Sequence, residues 1–239
     1  MFQLLGAQLH NRWIRHRLRG KKLHPLARQN LTALDRLDIN QPARSLRYVV
    51  FDLETTGLNH SRDQVLSVAA FRIAEARIRL GEVFSSLANP DRSIPSAAIK
   101  IHGILPSMVV QAPNASEVYE QFLRYLGTDV LVGYHVGFDL HFINTYMRQT
   151  YGFPLQNLVL DARAMCRKIV FPPHLGSYTV RYKGDPELDA VAKLFGVEIY
   201  ERHSALGDAL ATALIFQRIL ATLEKRGLKR LRNLLSISR

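Results

Sequence analysis

The sequence predicts an α/β fold: a mixed sheet of three antiparallel strands plus parallel strands, flanked by helices, with a basic helical N-terminal extension. Three observations predict it. The apolar runs Tyr48-Val49-Val50 and Val130-Leu131-Val132 read as buried strands. Two strand-like stretches, 64–74 and 77–87, are separated only by Glu75-Ala76, so a tight turn joins them. Further on, helical patterns alternate with short apolar runs, which places parallel strands between helices.

The elements follow in order. Residues 1–22 read as a basic helix. Phe2, Leu5, Leu9 and Trp13 fall within an arc of about 80° at about 100° per residue, and Leu4, Ile14 and Leu18 lie opposite. A helix apolar on two sides fits between two surfaces better than on a membrane. Gly20 and Pro25 punctuate it. A second short helical stretch ends at Asn40-Gln41-Pro42, the junction to the core. Strand 47–53 opens the core, and strands 64–74 and 77–87 complete an antiparallel meander. Pro90 and Pro95 mark a loop before a short helix, 96–102. A helix at 115–126 follows Pro113, then a parallel strand at 129–133 and a helix from near Asp139. A last short strand, 158–160, ends in Asp161, which reads as the N-cap of the next helix. The stretch 172–186, rich in Pro, Gly and Tyr, is either an ordinary connection or a flap offering Tyr178, Arg181, Tyr182 and Lys183 to a substrate. The run Leu210 to Leu223 is helical. No internal repeat is visible.

Length and charge bound the reading. The 239 residues suffice for one sizeable core plus extensions. Cys166 is the only cysteine, which rules out an intrachain disulfide and fits a reducing, cytoplasmic setting. No run of about 18 apolar residues predicts a membrane span, and no secretory signal is read. The net charge of +12 is uneven: residues 1–47 carry +8, residues 224–239 carry +5, and the middle carries −1. The basic ends attract polyanions, or they are solvated tails. The expected division is a basic extension 1–46, a core domain 47–224 and a basic C-terminal tail 225–239.

The chemistry-bearing residues are acids at element ends. Asp52 and Glu54 end the first strand and, being two apart, point to one side. Two carboxylates that close repel by roughly a few kcal/mol at an effective dielectric of about 20. A hard divalent cation would offset that. Asp139 follows the second apolar run and opens a helical pattern. Asp208 falls in the first turn of the run to Leu223, where the helix dipole favours negative charge. His203 precedes it on a loop. The lone Cys166 reads as core or neutral surface, and Asp189 as a surface or local-bonding acid.

These segments resemble the three motifs of the DEDDh 3′→5′ exonucleases, most closely the proofreading (epsilon) subunits of bacterial DNA polymerase III. The matching pieces are Asp52-Leu53-Glu54-Thr55-Thr56-Gly57-Leu58, Phe138-Asp139, and His203 with Asp208. Ile101-His102-Gly103-Ile104 and the stretch Leu188 to Val197 support them. The resemblance covers about residues 47–224. It implies a ribonuclease H-like architecture and two Mg²⁺ or Mn²⁺ ions held by Asp52, Glu54, Asp139 and Asp208, with His203 as general base. It further implies a 3′-hydroxyl received near Thr55, Leu58 wedged against the last bases, and His102 close to the substrate channel. Leu58 read alone fits plain core equally, and His102 a structural hydrogen bond. One departure is His135, which stands where the family often has Asn. The implied substrate is single-stranded DNA or frayed 3′ ends, in proofreading or repair. RNA trimming is a second reading, and a non-catalytic nucleic-acid-binding or polymerase-tethering module a third. A DNA polymerase subunit, reached through the basic extensions, is the protein partner that the resemblance suggests.

Overall fold

β1, Arg47–Thr55, has a partner on each side. On one side it pairs antiparallel with β2, Val65–Ala74, which pairs antiparallel with β3, Arg77–Leu87. On the other it runs parallel to β4, Val130–Gly133, which runs parallel to β5, Val159–Asp161. The sheet order is β3-β2-β1-β4-β5, the mixed sheet expected from the sequence. This computed structural model describes residues 2–170 and 187–238, so the loop 172–186 with Tyr178, Arg181, Tyr182 and Lys183 lies outside the described residues. At the β2–β3 turn Glu75 and Ala76 both take positive φ, 54° and 59°. Two left-handed residues match the twist of a hairpin, even without glycine.

Helices cover both faces. They are α1 (Phe2–Arg17), α2 (Pro25–Asn30), α3 (Ser96–His102), α4 (Pro106–Val109), α5 (Ala115–Leu126), α6 (Gly137–Tyr151), α7 (Ala162–Val170), α8 (Leu188–Leu194), α9 (Ala205–Lys225) and α10 (Leu231–Ile237). The strand period of two sorts β1 between two cores. Tyr48 and Val50 pack with Met165, Phe216 and Leu231 of α7, α9 and α10. Val49, Phe51 and Leu53 pack with Phe122 and Ile143 of α5 and α6. Each large side chain buried this way contributes about 1.5–3 kcal/mol. Asp52 and Glu54 continue the Tyr48–Val50 row, so they face the side of α9. By length and composition α9 is apolar enough to cross a membrane, but its apolar side packs against β1 and β2 as a core helix.

The two ends of the chain are built into this body. Leu4 and Ile14 of α1 are buried, in opposite cores. Leu5, Leu9 and Trp13 are exposed, so among the described residues only one of the two surfaces expected for this helix is filled. The helix stops at Arg17 rather than 22, where the chain turns toward Gly20 at φ 81°. α2 ends at Asn30 and gives way to turns, well short of Asn40. Asn30 spends its side chain elsewhere: its amide donates to Asn157 (2.6 Å) and its oxygen accepts from Gln156 N–H (2.9 Å). Asn11 donates to Gln156 Oε1 at 3.0 Å. At the other end, Leu231, Leu234 and Leu235 of α10 are buried. Sequence reading took this segment as tail, because three leucines spaced for a helix are hidden among basic residues. Ala43 N–H donates to Lys229 O (2.8 Å) and Leu231 N–H to Gln41 O (3.0 Å), which clasps residues 41–43 to 229–231.

Candidate active site

β1 carries Asp52 and Glu54 to the end of the sheet, and α9 carries Asp208 to the same point in its first turn. One oxygen from each of Asp52, Glu54 and Asp208 lies within 4.8 Å of the others. Asp139, in the first turn of α6, is buried and close enough to raise the pKa of both Asp52 and Glu54. The structure thus brings three of the four acids into one cluster and leaves Asp139 outside it, near enough to act on Asp52 and Glu54 through charge. A bulge in the β1–β2 pairing between Glu54 and Thr55 ends the regular ladder at the acid pair.

The electrostatics of this arrangement are unfavourable without a cation. Asp52 is held well above the usual carboxylate range, first by burial and then by Asp139, Asp208 and Glu54, against a counter-pull from Arg202. Burial followed by repulsion from Asp208 and Asp139 pushes Glu54 up to about 8. Burial pushes Asp139 up to about 8, although its own backbone N–H and that of Leu53 partly stabilise its charge. Asp208 is also raised, mainly by burial, while Arg202 and His203 oppose the rise. Oδ1 of Asp208 is buried with no hydrogen-bond partner. An orphaned carboxylate oxygen facing two further carboxylates is the donor set of a hard divalent cation, so the residues fit a metal centre.

The His203 loop is shaped by close contacts. His203 is exposed and takes a left-handed backbone, φ 60°. Its backbone N–H helps to hold the charge on Asp208. Glu201 O lies so near Gly207 that a Cβ there would stand 2.1 Å from it, so only glycine allows the loop to lie against α9. Arg202 was missed in the sequence. Its guanidinium donates to Asp208 and, through Nε, to Asp189 Oδ1 at 3.0 Å, with Nη1 standing 3.4 Å from His203 Nδ1. Asp189 is thus more than a surface acid: it anchors the arginine. An arginine beside a motif histidine is the only sequence signal that could have pointed to this.

The remaining candidates fall into two groups. Leu58 is 85% exposed beside the acids, which removes the plain-core reading. Thr55 is buried and donates to Gly57 O at 2.7 Å, holding the turn after the acid pair. A Cβ at Gly57 would meet Asp63 Oδ2 at 2.5 Å, and that same Asp63 accepts from Thr56 Oγ1 (3.1 Å). His102 Nδ1 accepts from Ile104 N–H at 3.0 Å, so its role within the chain is a local hydrogen bond. His135 is exposed with φ 56°, a conformation Asn tolerates better than most residues. The position thus demands a left-handed backbone, and here His supplies it. Asp161 Oδ1 accepts from Ala164 N–H (3.1 Å), as an N-cap does. Cys166 is buried, and burial pushes its thiol up to about 12, which leaves it inert.

The comparisons with known proteins agree with this geometry. The family model described as "Exonuclease", RNase T, matches residues 49–216. The chain is 40% identical over 190 residues to a DNA polymerase III subunit epsilon-like protein of Rhodobacter capsulatus, covering 78% of this chain but 25% of that protein. It is 36% identical over 176 residues to the DNA polymerase III subunit epsilon of Aquifex aeolicus, covering 74% of this chain and 81% of that one. Among solved structures, E. coli exonuclease I in complex with a dT13 oligonucleotide superposes with a TM-score of 0.63 at 20% identity, over 76% of this chain and 42% of that one. Exonuclease X in complex with 5′ overhanging duplex DNA superposes with a TM-score of 0.57 at 22% identity, over 81% and 99%. At those identities the structures speak for the fold alone.

Proposed function

The chain belongs to the RNase T exonuclease family, and from that premise we propose that it removes nucleoside 5′-monophosphates one at a time from the 3′ ends of DNA strands. The observation that carries this reading is the convergence of Asp52, Glu54 and Asp208 within 4.8 Å, with a buried orphan oxygen among them and Asp139 behind. Asp52, Glu54, Asp139 and Asp208 would hold two Mg²⁺ or Mn²⁺ ions. Bound there, such ions stabilise the attacking and leaving oxygens of an in-line phosphoryl displacement.

The chain's own residues do the rest. His203, exposed at the mouth, takes the proton of the attacking water as a positioned general base. The turn from Thr55 to Gly57 receives the terminal 3′-hydroxyl. Leu58 projects where it can wedge against the last bases. Contacts of this kind read ends and sugar-phosphate rather than sequence, so little sequence preference follows. The epsilon-type relatives favour a role in proofreading or repair, with a polymerase subunit as partner.

The test uses DNA and RNA oligomers labelled at either end, incubated with Mg²⁺, Mn²⁺ or EDTA. A ladder shortening from the 3′ end of DNA, absent in EDTA, is the expected result. Internal cuts, or hydrolysis that survives EDTA, would overturn it. Faster shortening of RNA than of DNA would reassign the substrate.

A further inference from the structure

We propose that α1 and the C-terminal end of α6 form a second nucleic-acid site, a groove that holds the single strand upstream of the end being cut. One wall lies on the extension that precedes the matched family region, residues 49–216, and the other within that region. The groove has a volume of about 580 Å³ and is lined by Trp13, Arg17, Lys21, Lys22, Arg148 and Tyr151 among others. Four of these six are cations, and no carboxylate lines the groove. Lys21, Lys22 and Arg148 make no ion pair among the described residues, so no described carboxylate neutralises them. A groove left this positive matches a polyanion.

The aromatic content narrows the occupant. Trp13 is 52% exposed, with Arg17 over its ring at 4.7 Å. Tyr151 borders the groove, and its ring stacks on His24 at 5.6 Å. Flat rings interleaved with cations take up bases and phosphates together, as single-strand binding surfaces do. An acidic peptide would use the cations and leave the rings idle.

The position of the groove along α6 supplies the connection to the acid cluster. Asp139 sits in the first turn of that helix and Arg148 in its last. At about 1.5 Å per residue they are about 14 Å apart along the axis. His141, Thr145 and Arg148 share the outward face between them, within about 60° at 100° per residue. His60, from the loop after the acid pair, stacks on His141 at 5.0 Å and lies 3.2 Å from Thr145 Oγ1. A strand with its 3′ end among the acids can therefore run over His60 and His141 and reach the groove within a few nucleotides. The direction of the strand rests on the exonuclease reading; the presence of the groove does not.

The test separates the two. Binding of 5′-fluorescent oligothymidylates is followed by anisotropy in EDTA, where nothing is cut, using the full chain and a Lys21→Gln, Lys22→Gln, Arg148→Gln variant. All three residues are exposed, and thermal melts establish that the variant is folded. For the wild type, affinity should rise between about 3 and about 10 nucleotides. The variant should lose that rise, and the slope of log affinity against log salt should flatten by about 2, at about 0.7 per phosphate contact. In the presence of metal, the ratio of kcat/KM for long over short strands should fall with it. An unchanged slope and length dependence would overturn the groove, as would displacement of the strand by oligoglutamate as readily as by unlabelled oligothymidylate. If no oligomer is cut at all, the exonuclease reading fails, while the anisotropy result still decides the groove.

Discussion

Arg202 lays its guanidinium against the carboxylate of Asp208, beside the oxygens of Asp52 and Glu54. It is a cation of the chain's own at a place that suits a divalent ion, steered there by Asp189. Replacing Arg202 by Ala removes the one positive group that lowers the pKa of both Asp52 and Glu54. The metal-free variant should melt below the wild type at pH 8, and the gap should narrow toward pH 4, where the folded-state acids take up protons and leave the arginine less charge to offset. Equal melting temperatures at pH 8 would mean that Arg202 does not offset the acid cluster.

The pH dependence of the metal-free protein follows from the same groups. Glu54 and Asp139 both have folded pKa values of about 8, above their ordinary 4.5 and 3.8. Between those limits the native state binds more protons than the unfolded chain, so stability falls as pH rises. Thermal melts in EDTA should decline from about pH 4.5 to about pH 8. Mn²⁺ should restore several degrees at pH 8 and little at pH 5, taking about 2–4 °C per kcal/mol for a chain of this size. A flat profile without metal would contradict the mutual repulsion of the four acids.

Glu54→Gln should separate stability from turnover. The substitution keeps shape and removes one of the repelling charges, so the metal-free protein should melt higher at pH 8. Hydrolysis should fall to near background, since a metal ligand is lost. A Glu54→Gln enzyme with normal turnover would sink the metal mechanism.

His203→Ala should lose about 10² to 10⁴ in kcat while binding DNA as before, the range for a positioned general base. If kcat stays within about threefold of wild type, the proton goes elsewhere. His135, also exposed and also left-handed in backbone, is then the next residue to change.

Gly207→Ala isolates the loop contact. In an exposed helix this change is favourable by about 1 kcal/mol. Here the new Cβ would stand 2.1 Å from Glu201 O, so the loop carrying Arg202 and His203 has to move. The expected result is a loss of about 1–3 kcal/mol, as for other overpacked sites, together with reduced kcat. A variant more stable than wild type and fully active would show that the loop yields without consequence.

Much of this was legible in the sequence because local rules agreed with the fold. Tyr48-Val49-Val50 reads as a buried strand and is one, and the i, i+2 spacing of Asp52 and Glu54 put both on the side where α9 lies. The hairpin at Glu75-Ala76 was legible from strand lengths alone. What escaped were long-range pairings with no local signature. Nothing in Arg202 or Asp189 taken singly announces that they meet. The embrace of Asn30 with Asn157 and the docking of Leu231, Leu234 and Leu235 join segments from distant parts of the chain. The groove between Trp13 and Arg148 is of the same kind: a basic helix and a helix of no net charge make it only when the fold sets them side by side.

The clasp of residues 41–43 to 229–231 bears on how the molecule comes into being. Asp52 precedes His203, Asp208 and residues 229–231 in the order of synthesis. Between those two points of synthesis the chain carries half of the acid cluster, with no partner for its first two acids. The acid cluster closes only when α9 docks against β1, so the order of the residues themselves makes the metal site a late product of folding.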